Sequence, residues 1–186
     1  MNNISFTPHF ELREFVASKT ARDHGINNTP PDEAVENLRA LCVHTLEPLR
    51  QALGLPIIIT SGYRCKALNH LLVNHSVKSQ HMNGQAADFY VGEGPVSGSK
   101  IQDSGDLQLE TGASPMKPET HRQRLIRAFR QIITDDAIAF DQLIIYPSFI
   151  HVSYVRTGRK NRSKLTKAFA NGSYAALTRA QALTLE

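Results

Sequence analysis

The segment "PPDEAVENLRALCVHTLEPLRQALG", residues 30–54, constrains the fold more than any other. Val35, Leu38, Leu41, Cys42, Leu46, Leu49 and Leu53 recur at helical spacing, so one face of a helix must find a core. Pro31, Asp32 and Glu33 make its first turn, and Gly54 ends it. Pro48 is expected to kink it, because proline has no amide hydrogen to give. The next stretch, "LPIIITSGYR", is a β-branched run with a Ser-Gly stop and reads as a buried strand. A long helix that passes directly into a buried strand points to a mixed fold.

The rest of the chain extends that pattern. "HFELREFVASKTARDHG" predicts a short helix over about residues 11–23. "CKALNHLLVNH" reads as another short helix, and "GQAADFYV" as a strand entered through Gly84. "PETHRQRLIRAFRQIIT" places Leu125, Ile126, Phe129, Ile132 and Ile133 on one helical face. "FDQLIIYPS" and "FIHVSYV" predict a hairpin turning at Pro147 and Ser148. "SYAALTRAQALTL" predicts a last helix. Residues 92–118 are rich in Gly, Ser, Pro and Asp and lack periodicity, which predicts a long mobile loop or insertion. No regular crossovers link the strands, so the expected class is α+β. The expected division is one domain over 1–155 and a basic C-terminal extension over 156–186.

Composition closes off several alternatives. The chain has 186 residues, 41% hydrophobic and 20% charged, which suits one globular domain. No apolar run approaches the ~20 residues of a membrane span. The N-terminus lacks the basic start and apolar run of a secretory signal, so synthesis in the cytoplasm is expected. Cys42 and Cys65 give neither a disulfide framework nor a cysteine zinc motif. The net charge is +4 and the pI about 9.2. Much of the surplus lies in Arg156, Arg159, Lys160, Arg162, Lys164 and Lys167, a run with no acid. Such a run can meet a polyanion, or it can be a solvated tail. No aromatic residues interleave with it as base stacking requires, so no nucleic-acid partner is expected.

Chemistry concentrates in "SQHMNGQAADFYV", residues 79–91. Asp88 sits in a strand, where a carboxylate is costly unless it is paired, hydrogen-bonded or bound to metal. His81 precedes that strand, and small residues at Gly84, Ala86 and Ala87 let the loop fold close to the sheet. His151 lies in a second strand, 63 positions beyond Asp88. Two histidines, an aspartate and an open position for water are the usual pattern of catalytic zinc. Spacing alone leaves a structural aspartate and two unrelated histidines as the competing reading. His9, His24, His44, His70, His75 and His121 stand in helix or loop contexts without ligand spacing.

Three blocks together, "SGYRCKALN", "SQHMNGQAADFYV" and "FIHVSY", resemble the zinc D-alanyl-D-alanine carboxypeptidase family, which includes phage peptidoglycan endopeptidases. The blocks are Ser-Gly-Tyr-Arg, then Ser-x-His-x-x-Gly-x-Ala-x-Asp, then a histidine in a late strand. The similarity spans about residues 8–155, and the opening segment resembles the phage and prophage branch. The resemblance implies a hedgehog/DD-peptidase-like α+β fold, with an antiparallel sheet carrying a zinc site and helices flanking it. It implies Zn2+ bound by His81, Asp88 and His151, and a monomer acting on peptidoglycan peptides after phage-type release or as a virion component. Arg64 takes the place of an arginine that binds the substrate carboxylate or the oxyanion. Ser79 and Ser153 are candidates for supporting the site, and Ser153 can equally be structural.

One departure stands out. The family places a Glu or Asp shortly before the last histidine, and here that position is Tyr146. The segment "IYPSFIH" holds no acid. Asp141 is the nearby carboxylate, and strand alternation puts Asp141, Leu143 and Ile145 on one face. Three possibilities stay open: Asp141 is the general base, Tyr146 supplies a proton, or the domain holds zinc and binds wall peptides without cleaving them.

Overall fold

The computed structural model describes residues 4–72, 76–94 and 119–186. His75 and most of the expected 92–118 loop, residues 95–118, lie outside the described residues. The helix of residues 30–54 forms, but in three parts. These are α3 (Asp32–Leu41), a π-helical turn (Cys42–Leu46) and α4 (Glu47–Leu53), after the short helices α1 (Leu12–Val16) and α2 (Lys19–Asp23). The departure from α geometry lies one turn ahead of Pro48. Proline frees the carbonyl four residues back, that of His44. The Ala139 amide donates to that carbonyl at 3.0 Å, and the Thr45 hydroxyl donates to the Ala139 carbonyl. The irregular turn thus anchors the loop that leads to Asp141.

The expected helix over 11–23 is broken at Ala17 and Ser18, because the Ser18 hydroxyl caps α2 by accepting from the Ala21 amide at 3.1 Å. Ahead of it, β1 (Ser5–Thr7) and β2 (Phe10–Glu11) pair as a small hairpin that the sequence reading did not anticipate. The expected last helix is shorter: Tyr174–Ala176 is a strand, and α7 spans Arg179–Leu183.

The main sheet holds β3 (Ile57–Ser61), β4 (Ala86–Val91), β5 (Gln142–Ile145), β6 (Ile150–Ser153), β7 (Lys164–Ala168) and β8 (Tyr174–Ala176). Its order is β3-β4-β6-β5-β7-β8. The expected β5–β6 hairpin is present, and α5 (Lys66–Leu71) follows β3 as a short helix. Two expectations are corrected here. The sheet is mixed rather than antiparallel, since β5 and β7 run parallel. Residues 156–186 are not an appended extension: they add β7 and β8 to the sheet, and Leu165, Ala182 and Leu185 to the core.

One face of the sheet is covered by α6 (His121–Thr134) packed on β4 and β5, with α4 and α7 against α6. Leu125, Phe129 and Ile132 of α6 are buried with Phe89, Val91, Leu143 and Ile145 of the strands. Burial of each such side chain contributes roughly 1.5–3 kcal/mol. Strand alternation sends the intervening residues to the other face. There the register sets Asp88 opposite His151 and His151 opposite Ile144, across three neighbouring strands.

Gly62 and Gly84 let the chain lie close to the helices at two points. A Cβ on Gly84 would run into the Ala34 backbone of α3, and its φ is +66°. A Cβ on Gly62 would stand 2.5 Å from the Phe15 carbonyl oxygen. Glycine meets both demands, having no Cβ and tolerating positive φ. Among the described residues, no helix is long and apolar enough to cross a membrane.

Candidate metal centre

His81 comes from a 3-10 turn (Gln80–Asn83) between α5 and β4, and Gly84 closes that turn in the left-handed conformation. Its side chain is almost wholly buried. The Nδ1 hydrogen donates to the Gly62 carbonyl at 2.7 Å. That bond fixes the tautomer and leaves the Nε2 lone pair facing inward. Nε2 lies 3.2 Å from His151 Nδ1 and 3.4 Å from Asp88 Oδ1. His151 Nδ1 lies 2.8 Å from the same carboxylate oxygen. The sequence thus brings together the three residues it singled out, and they form a group able to hold a metal ion.

The donor set fits zinc. It offers two imidazole nitrogens and one carboxylate oxygen, the ligand types of catalytic zinc sites. Three inward-facing electron-rich atoms so close together repel unless a cation or a proton lies between them. Burial alone would raise the Asp88 pKa. The two histidines outweigh burial and hold its carboxyl well below the usual range. Burial lowers the His81 pKa, opposed by Asp88. An anionic carboxylate beside a neutral imidazole is the protonation state that metal ligation needs.

The trio opens on a cleft of about 610 Å³. Arg64, Tyr146, Ile144 and Gln142 line it too, so the cleft side of β5 is the side of Gln142 and Ile144, continued by Tyr146. Arg64 is placed by its backbone, whose amide donates to the His81 carbonyl at 3.2 Å. Its Nε is buried and makes no hydrogen bond. Tyr146 stacks on Phe149 with ring centroids 4.2 Å apart, and its hydroxyl meets that of Tyr174 at 3.2 Å. Burial pushes the Tyr146 pKa above the ordinary tyrosine value, and Tyr174 and Asp88 add to the effect.

Asp141 is elsewhere, on the side of the strand away from the cleft. Leu143 and Ile145 point into the core, and Asp141 is fully buried at the strand entrance. Arg159 donates through Nη1 and Nη2, at 2.5 and 2.8 Å, one to each carboxylate oxygen. Arg162 donates to Oδ1 from its backbone amide at 2.9 Å and to Oδ2 from Nη2 at 2.6 Å. Gln80 donates to Oδ2 at 3.1 Å. Burial would raise the Asp141 pKa, but Arg159 and Arg162 outweigh it and hold the carboxyl far below the usual range. A carboxylate so held is a poor proton acceptor, so the general base expected at Asp141 has no support here.

The pH consequence has a definite sign. A depressed folded pKa stabilises the protein above the unfolded value of about 3.9 and loses that contribution as the pH falls through the folded value. Asp141→Asn is expected to lose about 2 kcal/mol at neutral pH, since an amide nitrogen then faces guanidinium donors. The variant is also expected to show a weaker acid dependence below about pH 4. Urea midpoints of both proteins at pH 3, 4 and 7 check this. Equal midpoints at pH 7 would refute the tie.

Ser153 is buried and structural. Its hydroxyl donates to Gln80 Oε1 at 3.0 Å and accepts from the Gln142 amide at 3.1 Å. Gln80 therefore bridges Asp141 and Ser153 and steadies the turn that carries His81. Ser79 borders the cleft. Sequence reasoning missed Gln80, Arg159, Arg162 and Tyr174. The basic run was visible, but nothing local in it signals that two of its arginines meet Asp141.

A family model described as Peptidase M15 matches residues 8–104, just over half of the chain and including Arg64, His81 and Asp88. No curated protein matches the chain.

Proposed function

The chain belongs to the peptidase M15 family, and from that premise we propose that it is a zinc-dependent peptidase hydrolysing an amide bond in peptidoglycan stem peptides, built on the hedgehog/DD-peptidase-like fold. The observation that carries the reading is the convergence of His81 Nε2, Asp88 Oδ1 and His151 Nδ1 within 4.8 Å at the wall of a cationic cleft. His81, Asp88 and His151 would hold the ion. Bound there, zinc would polarise the scissile carbonyl and bring the pKa of a water towards neutrality. Two of the chain's own groups serve the reaction beside it. Arg64, half-buried on the cleft wall, binds a substrate carboxylate or the developing oxyanion. Tyr146, kept protonated, donates its phenolic hydrogen to the oxyanion or the leaving amine. The resemblance of the opening segment to phage and prophage enzymes supports action at the cell wall after release from the cytoplasm or as part of a virion.

A second reading keeps the ion and the cleft but not the reaction: a domain that binds wall peptides. The observation favouring it is that Asp88 is the one carboxylate on the cleft wall among the described residues, while Asp141 is tied to two arginines.

Purified protein incubated with muropeptides of several wall chemistries, with and without a chelator, separates the two readings. Cleavage that a chelator stops and added zinc restores is the expected result. Binding without cleavage in any condition supports the second reading instead.

A further inference from the structure

Arg159 and Arg162 belong to the part of the chain beyond the matched family region, yet both line the same cleft as His81, Asp88 and His151. We propose that these two arginines form a second anion subsite, which selects substrates bearing a free carboxylate away from the scissile bond. This rests on the peptidase reading above and adds a specificity element to it.

The argument begins with charge. One arginine is enough to neutralise Asp141, and the structure supplies two, so the cluster keeps a surplus positive charge. Asp141 is fully buried, while the arginine side chains remain 42% and 49% exposed. The bonds to Asp141 use Arg159 Nη1 and Nη2 and Arg162 Nε and Nη2. They leave Arg159 Nε and Arg162 Nη1 outside the clamp. Asp141 thus holds the guanidiniums in place before a ligand arrives, which lowers the ordering cost of binding. The backbone supports the arrangement: Ser163, directly after Arg162, has φ of +50°. A non-glycine residue is strained there, and the bend accompanies the Arg162 amide bond to Asp141. The rest of the cleft agrees. Arg64 and Lys78 share its wall, and among the described residues its one carboxylate, Asp88, belongs to the metal group. A ligand with a single anionic end would engage Arg64 and leave this wall unused.

The test uses the full chain loaded with zinc and two synthetic stem peptides. They are identical except that the carboxylates away from the scissile bond are free in one and carboxamides in the other. Wild type is expected to favour the free acid by about tenfold in kcat/KM, mostly through KM, as one charge-assisted hydrogen bond at a half-exposed site would give. Arg159→Gln and Arg162→Gln should bring the ratio towards one, and Arg159→Lys, which keeps the charge, should preserve part of it. Melting curves and near-ultraviolet circular dichroism identify variants that have lost the fold, and Arg159→Lys then carries the comparison against wild type. Equal rates for acid and amide in wild type would overturn the subsite. So would a preference that both glutamine variants retain. If neither peptide is cleaved, the peptidase reading fails on its own terms. Calorimetric binding of the same two peptides then decides the subsite: tighter binding of the acid by wild type than by Arg159→Gln upholds it, and equal binding rejects it.

Discussion

Wild type is expected to bind about one zinc ion per chain, and His81→Ala, Asp88→Ala and His151→Ala are each expected to abolish that binding. The expectation rests on geometry. Each residue contributes one atom to a cluster held from three separate places: a 3-10 turn, strand β4 and strand β6. Among the described residues, no other His, Cys, Asp or Glu joins that group to replace a lost ligand. His24, at the end of α2, belongs to no such cluster, so His24→Ala should keep its zinc. Removing the ion should also cost stability. Metal present at about a thousandfold excess over its Kd stabilises the folded state by about 4 kcal/mol. For a chain of this size that corresponds to a fall in Tm of about 10 °C when a chelator is added. The pH dependence has a clear sign. Burial depresses the His81 pKa, so below the unfolded value of about 6.5 the unfolded chain takes up a proton that the folded chain resists. Stability therefore falls as the pH drops through that range, and metal affinity falls with it. Elemental analysis and melting curves of the four variants decide the matter. Full zinc occupancy in His151→Ala would remove the distant strand from the site.

The three candidate metal ligands, which the fold brings together, could be picked out in the sequence because they stand out against their surroundings. A carboxylate in a β-rich strand and a histidine in another need a physical reason, and one ion would supply it for both. The long helix, strands β3 and β4, helix α6 and the β5–β6 hairpin were legible for the same kind of reason: their periodicity is local. What escaped depends on contacts between distant segments. The break at Pro48 became a π-helical turn because Ala139, far along the chain, takes the carbonyl that proline frees. The basic run read as a tail because a strand such as "KLTKA" has too few apolar residues to announce itself. Its place in the sheet comes from parallel pairing with β5. The partners of Asp141 were hidden likewise, since Arg159 and Arg162 lie 18 and 21 positions away. Alternation rightly separated Asp141, Leu143 and Ile145 from their neighbours, but it could not say which of the two faces meets the cleft. Asp141 precedes β5, and the cleft face starts with Gln142.

Tyr146→Phe is expected to lower kcat by about 100-fold while leaving KM within a factor of about three, the signature of a proton donor rather than a binding contact. The phenol borders the cleft and is held in position by stacking on Phe149. Burial, followed by Tyr174, raises its pKa, so the hydroxyl remains protonated throughout the working range. A group in that state can give a proton but is a weak acceptor near neutrality. Tyr146 therefore does not stand in for the family carboxylate as a base; it can only serve the other half of the proton transfer. Tyr174→Phe, which removes the neighbouring hydroxyl without touching Tyr146, should cost less than tenfold. Tyr146→Glu restores an acid at the position where the family carries one. If wild type cleaves and Tyr146→Glu is slower, the tyrosine is part of the working site. If wild type is inert and Tyr146→Glu gains chelator-sensitive cleavage, the natural protein is the wall-peptide binder. Full activity in Tyr146→Phe would dismiss the phenol from the reaction, leaving Arg64 as the cleft's own stabiliser of the developing charge.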